Sequence, residues 1–213
     1  LAMLTWADVV GRICEDQQDL LLRVDLFEEL CKEHGCFGQS YPFKSDYGRY
    51  LYLNKSDIAP DYEPYEDLEY TVYVMCALPG TGKDTYVDRN LDMPVLSLDD
   101  IRRANKIDPT DKKAQGWVIQ EGKEQAKVYL RKKTPFVFNA TNLTVDRRGK
   151  WISLFTEYRA RVKIIYLEVP YKKLLAQNHN RPHKVPENVV ERMIRSLEIP
   201  GPKEAHEVVY LVR

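Results

Sequence analysis

The 213 residues hold 32 Lys and Arg against 32 Asp and Glu, so the formal net charge is zero, and 44% are hydrophobic. That length accommodates one full core with a small appendage, and the lack of an apolar run near ~18 residues excludes a membrane-spanning helix. The opening LAMLTWADVV has neither a basic n-region nor a small-residue cleavage site, so no signal peptide is expected; Cys14, Cys31, Cys36 and Cys76 show no paired spacing and are expected to be the reduced thiols of a cytoplasmic protein.

From Trp6 to His34 apolar residues recur at three- and four-residue steps, which predicts one or two helices stopping at Gly35. The segment 31-CKEHGC-36 reads as that helix end; a metal site on Cys31, His34 and Cys36 would need a fourth ligand from elsewhere. Residues 37–69 are rich in Tyr, Pro, Asp and Gly and read as a packed connector, with 49-RYLYL-53 as a short strand or a brace packed on the next domain. Residues 1–69 carry 15 Asp and Glu against 6 Lys and Arg, which leaves the remainder with a balance of +9. That split suits a polyanion-binding domain with an acidic attachment, or simply solvated charged faces.

After residue 69 strands and helices alternate, the pattern of a parallel sheet covered on both faces. Strands are predicted at 70–76, 94–98, 135–140, 162–169 and 207–212, with helices near 83–91, 99–105, 111–133, 144–158, 171–179 and 187–197.

Between the first strand and helix lies 76-CALPGTGKDTYV-87. It matches the phosphate-binding spacing Gly-x-x-x-x-Gly-Lys-Ser/Thr except that Ala77 replaces the first Gly and Asp84 the hydroxyl. Gly80 and Gly82 let backbone N–H groups converge on phosphate oxygens, Pro79 and Thr81 complete the ATP-binding loop, and Lys83 reaches the β and γ phosphates of a nucleoside triphosphate such as ATP. A carboxylate beside a triphosphate is repelled unless a cation lies between them, so Asp84 is expected to assist Mg²⁺, with Thr85 or water as the alternative ligand.

The second strand runs into 97-SLDDIRR-103, where strand carboxyl ends line a ligand crevice. Asp99 is suited to take a proton from an attacking hydroxyl, Asp100 to cap the helix, and Arg102 to grip an acceptor phosphate. The third strand ends in 139-NATNLTVDRR-148: Asn139, Thr141 and Asn142 are neutral groups able to position a hydroxyl or a metal-bound water, and Thr144 can cap the next helix. Arg147 and Arg148 are left open between substrate contact and structure. In 178-NHNRPHKVPENVVERM-193 a basic loop with Arg181, His183 and Lys184 has the character of a lid, Arg181 supplying charge to the moving phosphoryl group.

These four stretches together resemble the 5′-hydroxyl polynucleotide kinases of the P-loop phosphotransferases, above all the kinase half of bacterial fusions with an HD-domain phosphohydrolase. The resemblance covers residues 70–213, with 1–69 similar to the end of an HD module and its connector. It implies a five-stranded parallel sheet of order 2-3-1-4-5, ATP and Mg²⁺ as cofactors, and RNA or DNA 5′-OH ends as acceptors in end repair. Among residues it implies Lys83 and its loop on ATP, Asp99 as general base, Arg102 on a nucleic-acid phosphate and Arg181 as the lid arginine. No His is followed by Asp, so the HD metal pair is missing and an associated phosphohydrolase is expected outside these residues. A small-molecule kinase and a non-catalytic nucleotide-binding module are the competing expectations.

Overall fold

The computed structural model describes residues 1–213, the side chain of Lys112 excepted. The chain divides into two units, Leu1–Ser45 and Asp46–Arg213. The first contains helices α1 (Ala2–Val10) and α2 (Gln17–Glu33), each burying a single valine, Val9 and Val24. Gln17 closes the turn between them by donating Nε2 to the carbonyls of Val9 and Arg12, both at 3.1 Å.

The second unit begins with α3 (Asp46–Asn54). This is a helix where a strand or brace was expected, because five residues are too few for alternation to reveal the period. Its bracing contacts are made by polar side chains: Arg49 donates to the carbonyls of Pro202 at 2.9 Å and His206 at 2.5 Å, and Asn54 to Lys203 O at 2.9 Å. The acidic residues just before the sheet are similarly engaged: Asp67 pairs with Arg159 at 2.8 Å, Glu69 with Lys133, and Glu66 with Arg161. Part of the positive balance after residue 69 is therefore neutralised within the molecule.

Then come β1 (Tyr70–Ala77), α4 (Lys83–Asn90), β2 (Val95–Ser97), α5 (Leu98–Ala104), α6 (Lys112–Arg131), β3 (Phe136–Asn139), α7 (Val145–Glu157), β4 (Ala160–Glu168), α8 (Tyr171–His179), α9 (Glu187–Arg195) and β5 (Glu207–Val212). The five strands form one parallel sheet of order β2-β3-β1-β4-β5.

Strand alternation sorts the core into two layers. Val72, Val74 and Cys76 of β1, Phe136 and Phe138 of β3, and Val162, Ile164 and Tyr166 of β4 pack with α6 and α7, where Trp151 and Phe155 sit against the two phenylalanines. Met75, Ala77, Val137, Ile165 and Leu167 face the other way, onto Val87 of α4. Because both faces are covered, loops can open only at the strand ends. The carboxyl ends of β1, β2 and β3 thus share one crevice.

Candidate nucleotide and acceptor site

Ala77, the departure from the phosphate-loop pattern, is fully buried as the last residue of β1, and its N–H donates to Thr141 O at 3.1 Å. A methyl group there fills core space without narrowing the loop. Gly80 and Gly82 take φ of +90° and +83°, the left-handed region that glycine enters freely. Gly80 is also crowded, since a Cβ would lie 2.9 Å from Leu174 O and 3.1 Å from Asn178 N on α8. Buried Thr81 bonds back to Leu78 O at 2.9 Å. Gly82 caps α4 without a side-chain acceptor, leaving the first-turn N–H groups of α4 for an anion.

At the start of α4, Lys83 Nζ lies 3.0 Å from Asp84 Oδ1 and also bonds Asn139 Oδ1, while Asn139 Nδ2 donates to Asp84 Oδ1 at 2.9 Å. The end of β3 is thereby wired to the phosphate loop. Burial raises the Asp84 pKa, but Lys83, the Asn139 amide and the Arg181 charge outweigh it and hold the carboxyl below its ordinary value. Asp84 is ionised and largely exposed, with Thr85 exposed on the same turn. These hard oxygens fit Mg²⁺, which takes one or two protein ligands and completes its shell with phosphate and water. No cluster of three or more His, Cys, Asp and Glu exists among the described residues, so a closed protein cage is not what this site offers.

Asp99 lies in the first turn of α5 and Arg102, three residues on, in its last turn. Arg102 Nη1 bonds Asp99 Oδ1 at 2.6 Å and its Nε bonds Gln115 Oε1 of α6 at 2.9 Å. Arg102 is mostly covered, 20% exposed, whereas the Asp99 side chain is 60% exposed. Gly122 permits the close approach of α6: a Cβ there would meet Leu98 Cδ2 at 2.7 Å and Trp151 Cη2 at 3.2 Å. The cap of α5 differs from expectation. Ser97 accepts from Asp100 N at 3.2 Å, and Asp100 pairs instead with Arg103. Asp99, Asp100 and Asp84 all raise the Arg103 pKa, with the Asp100 hydrogen bond first, so α5 and the phosphate loop share one field.

Thr144 caps α7 as expected, accepting from Arg147 N at 3.4 Å. Asn142 is corrected: at φ +48° it is 5% exposed and donates Nδ2 to Met75 O at 2.8 Å, so its side chain holds the loop to β1 rather than facing an acceptor. Thr141 stays half-buried beside it, with its carbonyl bonded to Ala77. Arg148 is wholly buried, bonded to Glu204, to Asn142 O at 2.9 Å and to Cys76 Sγ. Burial pushes the Cys76 thiol up to about 11, and as a thiol it donates to Asn142 O at 3.2 Å.

Arg181 follows α8 and lies close enough to depress Asp84. Its loop is clamped by Asn178, which donates Nδ2 to Val185 O at 2.7 Å and accepts from Val185 N at 3.1 Å. Since Asn178 also packs on Gly80, the base of this loop and the phosphate loop are one structure. Sequence reasoning passed over Asn178; its only signal was an asparagine at the end of an apolar helical face.

Among curated proteins, an L-seryl-tRNA(Sec) kinase of Methanococcus maripaludis is 26% identical over 144 residues, 63% of this chain and 55% of its own. The chain thus spans about half the length of that relative. A chain of the Pnkp1/Rnl/Hen1 RNA repair complex superposes with a TM-score of 0.55 at 17% identity, covering 65% of this chain and 46% of that one. A putative kinase of Chloroflexus aurantiacus gives 0.53 at 16% identity, covering 68% and 88%. These likenesses bear on the fold, which is that of P-loop kinases. No helix among the described residues is long and apolar enough to cross a membrane. The AAA_33 family model, described as an AAA domain, matches residues 72–200, more than half of the chain and all of the loops that build this site, and the chain belongs to that family.

Proposed function

We propose that this domain is an ATP-dependent 5′-hydroxyl polynucleotide kinase, transferring the γ-phosphoryl group of ATP to the 5′ end of RNA or DNA. The observation that carries the reading is the Asp99–Arg102 pair, joined at 2.6 Å on the helix that leaves the carboxyl end of β2. Asp99 presents an exposed carboxylate able to accept the proton of an attacking hydroxyl. Arg102, held at Nε by Gln115, keeps a guanidinium edge fixed beside that carboxylate, which suits an acceptor whose hydroxyl has a phosphate as its neighbour.

The phosphate loop orients the triphosphate through the Gly80–Lys83 backbone and Lys83 Nζ, and Arg181 reaches the same region to meet charge developing on the transferred group. Asp84, oriented by the Asn139 amide, would hold Mg²⁺, with Thr85 on the same turn; there the ion would supply charge neutralisation between Asp84 and the phosphate oxygens.

A second reading comes from the 26% identical relative, whose name places its acceptor hydroxyl on a seryl group carried by a tRNA. Both readings make the acceptor a hydroxyl that a nucleic acid carries. The test incubates the purified chain with γ-labelled ATP, Mg²⁺ and, separately, a 5′-OH oligonucleotide, seryl-tRNA and a panel of sugars. Label at the oligonucleotide 5′ end supports the proposal. Label on seryl-tRNA alone replaces it with the second reading, and label only on a sugar overturns both.

A further inference from the structure

Helix α2 ends in a complete Schellman turn. Glu33 is the last helical residue, His34 the cap, and Gly35 takes the left-handed φ of +63°. Gly35 N donates to Lys32 O at 3.0 Å and Cys36 N to Cys31 O at 2.8 Å, the two cross-bonds that define the motif. In such a turn the residues joined by the longer bond bring their side chains together, ordinarily as a hydrophobic contact. Here both are cysteines. Each is half-buried, and the Cys36 thiol is near enough to act on Cys31.

We infer that Cys31 and Cys36 form a thiol–disulfide exchange site, closing to an intramolecular disulfide when presented with a small-molecule disulfide such as oxidised glutathione. The first protein thiolate attacks one glutathione sulfur, forms a mixed disulfide and releases one glutathione thiolate. The second thiolate attacks the protein sulfur of that mixed disulfide, expels the other glutathione and leaves the Cys31–Cys36 bond. Two protons pass from the protein thiols to the two glutathione thiols; the protein loses two electrons and glutathione gains them.

The backbone supports closure because the 2.8 Å bond from Cys36 N to Cys31 O already fixes the ends of the ring, so little chain entropy remains to be lost. Burial and the adjacent Cys36 thiol raise the Cys31 pKa. The exchange is accordingly slow beside that of activated thiols, because only a small fraction is thiolate. No third ligand accompanies the pair: among the described residues no group of three His, Cys, Asp or Glu is placed to hold a metal. Cys14 is a half-buried cysteine of the same unit without this turn, and serves as an internal comparison.

The experiment equilibrates the full chain with oxidised and reduced glutathione at several ratios, quenches with acid and alkylating agent, and maps cysteines by peptide mass. The expected result is that the peptide containing both residues loses two hydrogens, while Cys14 shows alkylation or glutathione adducts only. Cys31→Ser and Cys36→Ser should each trap glutathione on the remaining cysteine at ratios where the parent shows the internal disulfide. Far-UV circular dichroism checks that the variants keep their helices. The inference is overturned if the parent carries glutathione on both cysteines, or if the pair remains reduced at ratios that glutathionylate the single-cysteine variants. It concerns residues 31–36 only and stands apart from the proposed kinase activity.

Discussion

Arg148 donates Nε to Glu204 Oε2 at 2.6 Å and Nη2 to Glu204 Oε1 at 3.0 Å, a forked pair in which the arginine is wholly buried and the glutamate 13% exposed. The same guanidinium bonds Asn142 O, and Glu204 also accepts from Gly201 N at 2.8 Å. One ion pair thus ties the loop after β3, which carries Thr141, to the segment before β5. Arg148→Ala leaves Glu204 without its partner and should cost about 3–5 kcal/mol, read as a lowered midpoint of urea unfolding. Arg148→Met combined with Glu204→Leu should recover much of that loss. An unchanged midpoint for Arg148→Ala would remove this role.

His206 supplies a pH-dependent stability. Its Nδ1 accepts from Val162 N at 2.9 Å, its ring lies 4.3 Å from that of Tyr50, and it is 2% exposed. Burial, with Arg161 and Arg49 adding to it, lowers its pKa from 6.5 to about 4. The unfolded chain therefore binds the proton more readily between those values, so stability is full above pH 6.5 and declines as pH falls toward 4. At ~1.4 kcal/mol per unit the loss approaches about 3 kcal/mol. His206→Asn keeps an acceptor but cannot titrate, and the slope of stability against pH in this window should flatten accordingly.

The parallel sheet and the phosphate loop were legible because each rests on local signals, alternation of strands with helices and two glycines and a lysine at fixed spacing, whereas the strand order followed only from the family resemblance. The pairings that arm the site were not. Asn139 meets Lys83 and Asp84 only because β3 and β1 run parallel in register, and Arg148 meets Glu204 across 56 residues. Neither partner is visible along the chain. At the head of α5 Ser97 and Asp100 are both good capping residues three positions apart, and propensity alone does not choose between them. Asn142 misled because an asparagine in a loop serves a left-handed turn as well as it serves a ligand.

Asp84 is predicted to act through Mg²⁺. Asp84→Ser restores the common hydroxyl and should keep most activity, whereas Asp84→Ala should shift the Mg²⁺ dependence of phosphoryl transfer to higher concentrations. Asn139→Ala should also raise the Mg²⁺ requirement, since it removes the 2.9 Å bond that orients the carboxylate. Identical Mg²⁺ curves for all three would dismiss the assignment.

Arg181 tests the lid. Its charge reaches Asp84, and Asn178 fixes the loop that carries it. Arg181→Ala should lower turnover by roughly 10²–10³ while ATP affinity changes little, because the charge it meets develops in the transition state. Asn178→Ala should disturb both, since Asn178 also packs on Gly80 of the phosphate loop. Turnover unaffected in Arg181→Ala would make the loop a connector only.

The acceptor site gives the sharpest test. Asp99→Asn keeps size and can still bond Arg102, but it takes no proton, so turnover should fall by roughly 10²–10⁴ on every acceptor with ATP affinity retained. Arg102→Ala removes a charge-assisted phosphate contact worth about 1.5–3 kcal/mol, or roughly 10- to 100-fold in acceptor efficiency. The 2.6 Å bond to Asp99 adds a second consequence, because losing Arg102 also releases the base from its fixed position. A nucleoside acceptor without phosphate should therefore feel Arg102→Ala less than an oligonucleotide does, and the difference between the two measures the phosphate grip. Gln115→Leu supplies the control: it frees Arg102 Nε while leaving both charges, so any loss it causes reflects positioning of the pair. Equal losses on nucleoside and oligonucleotide for Arg102→Ala would confine Arg102 to orienting Asp99 and deprive the polynucleotide reading of its phosphate contact.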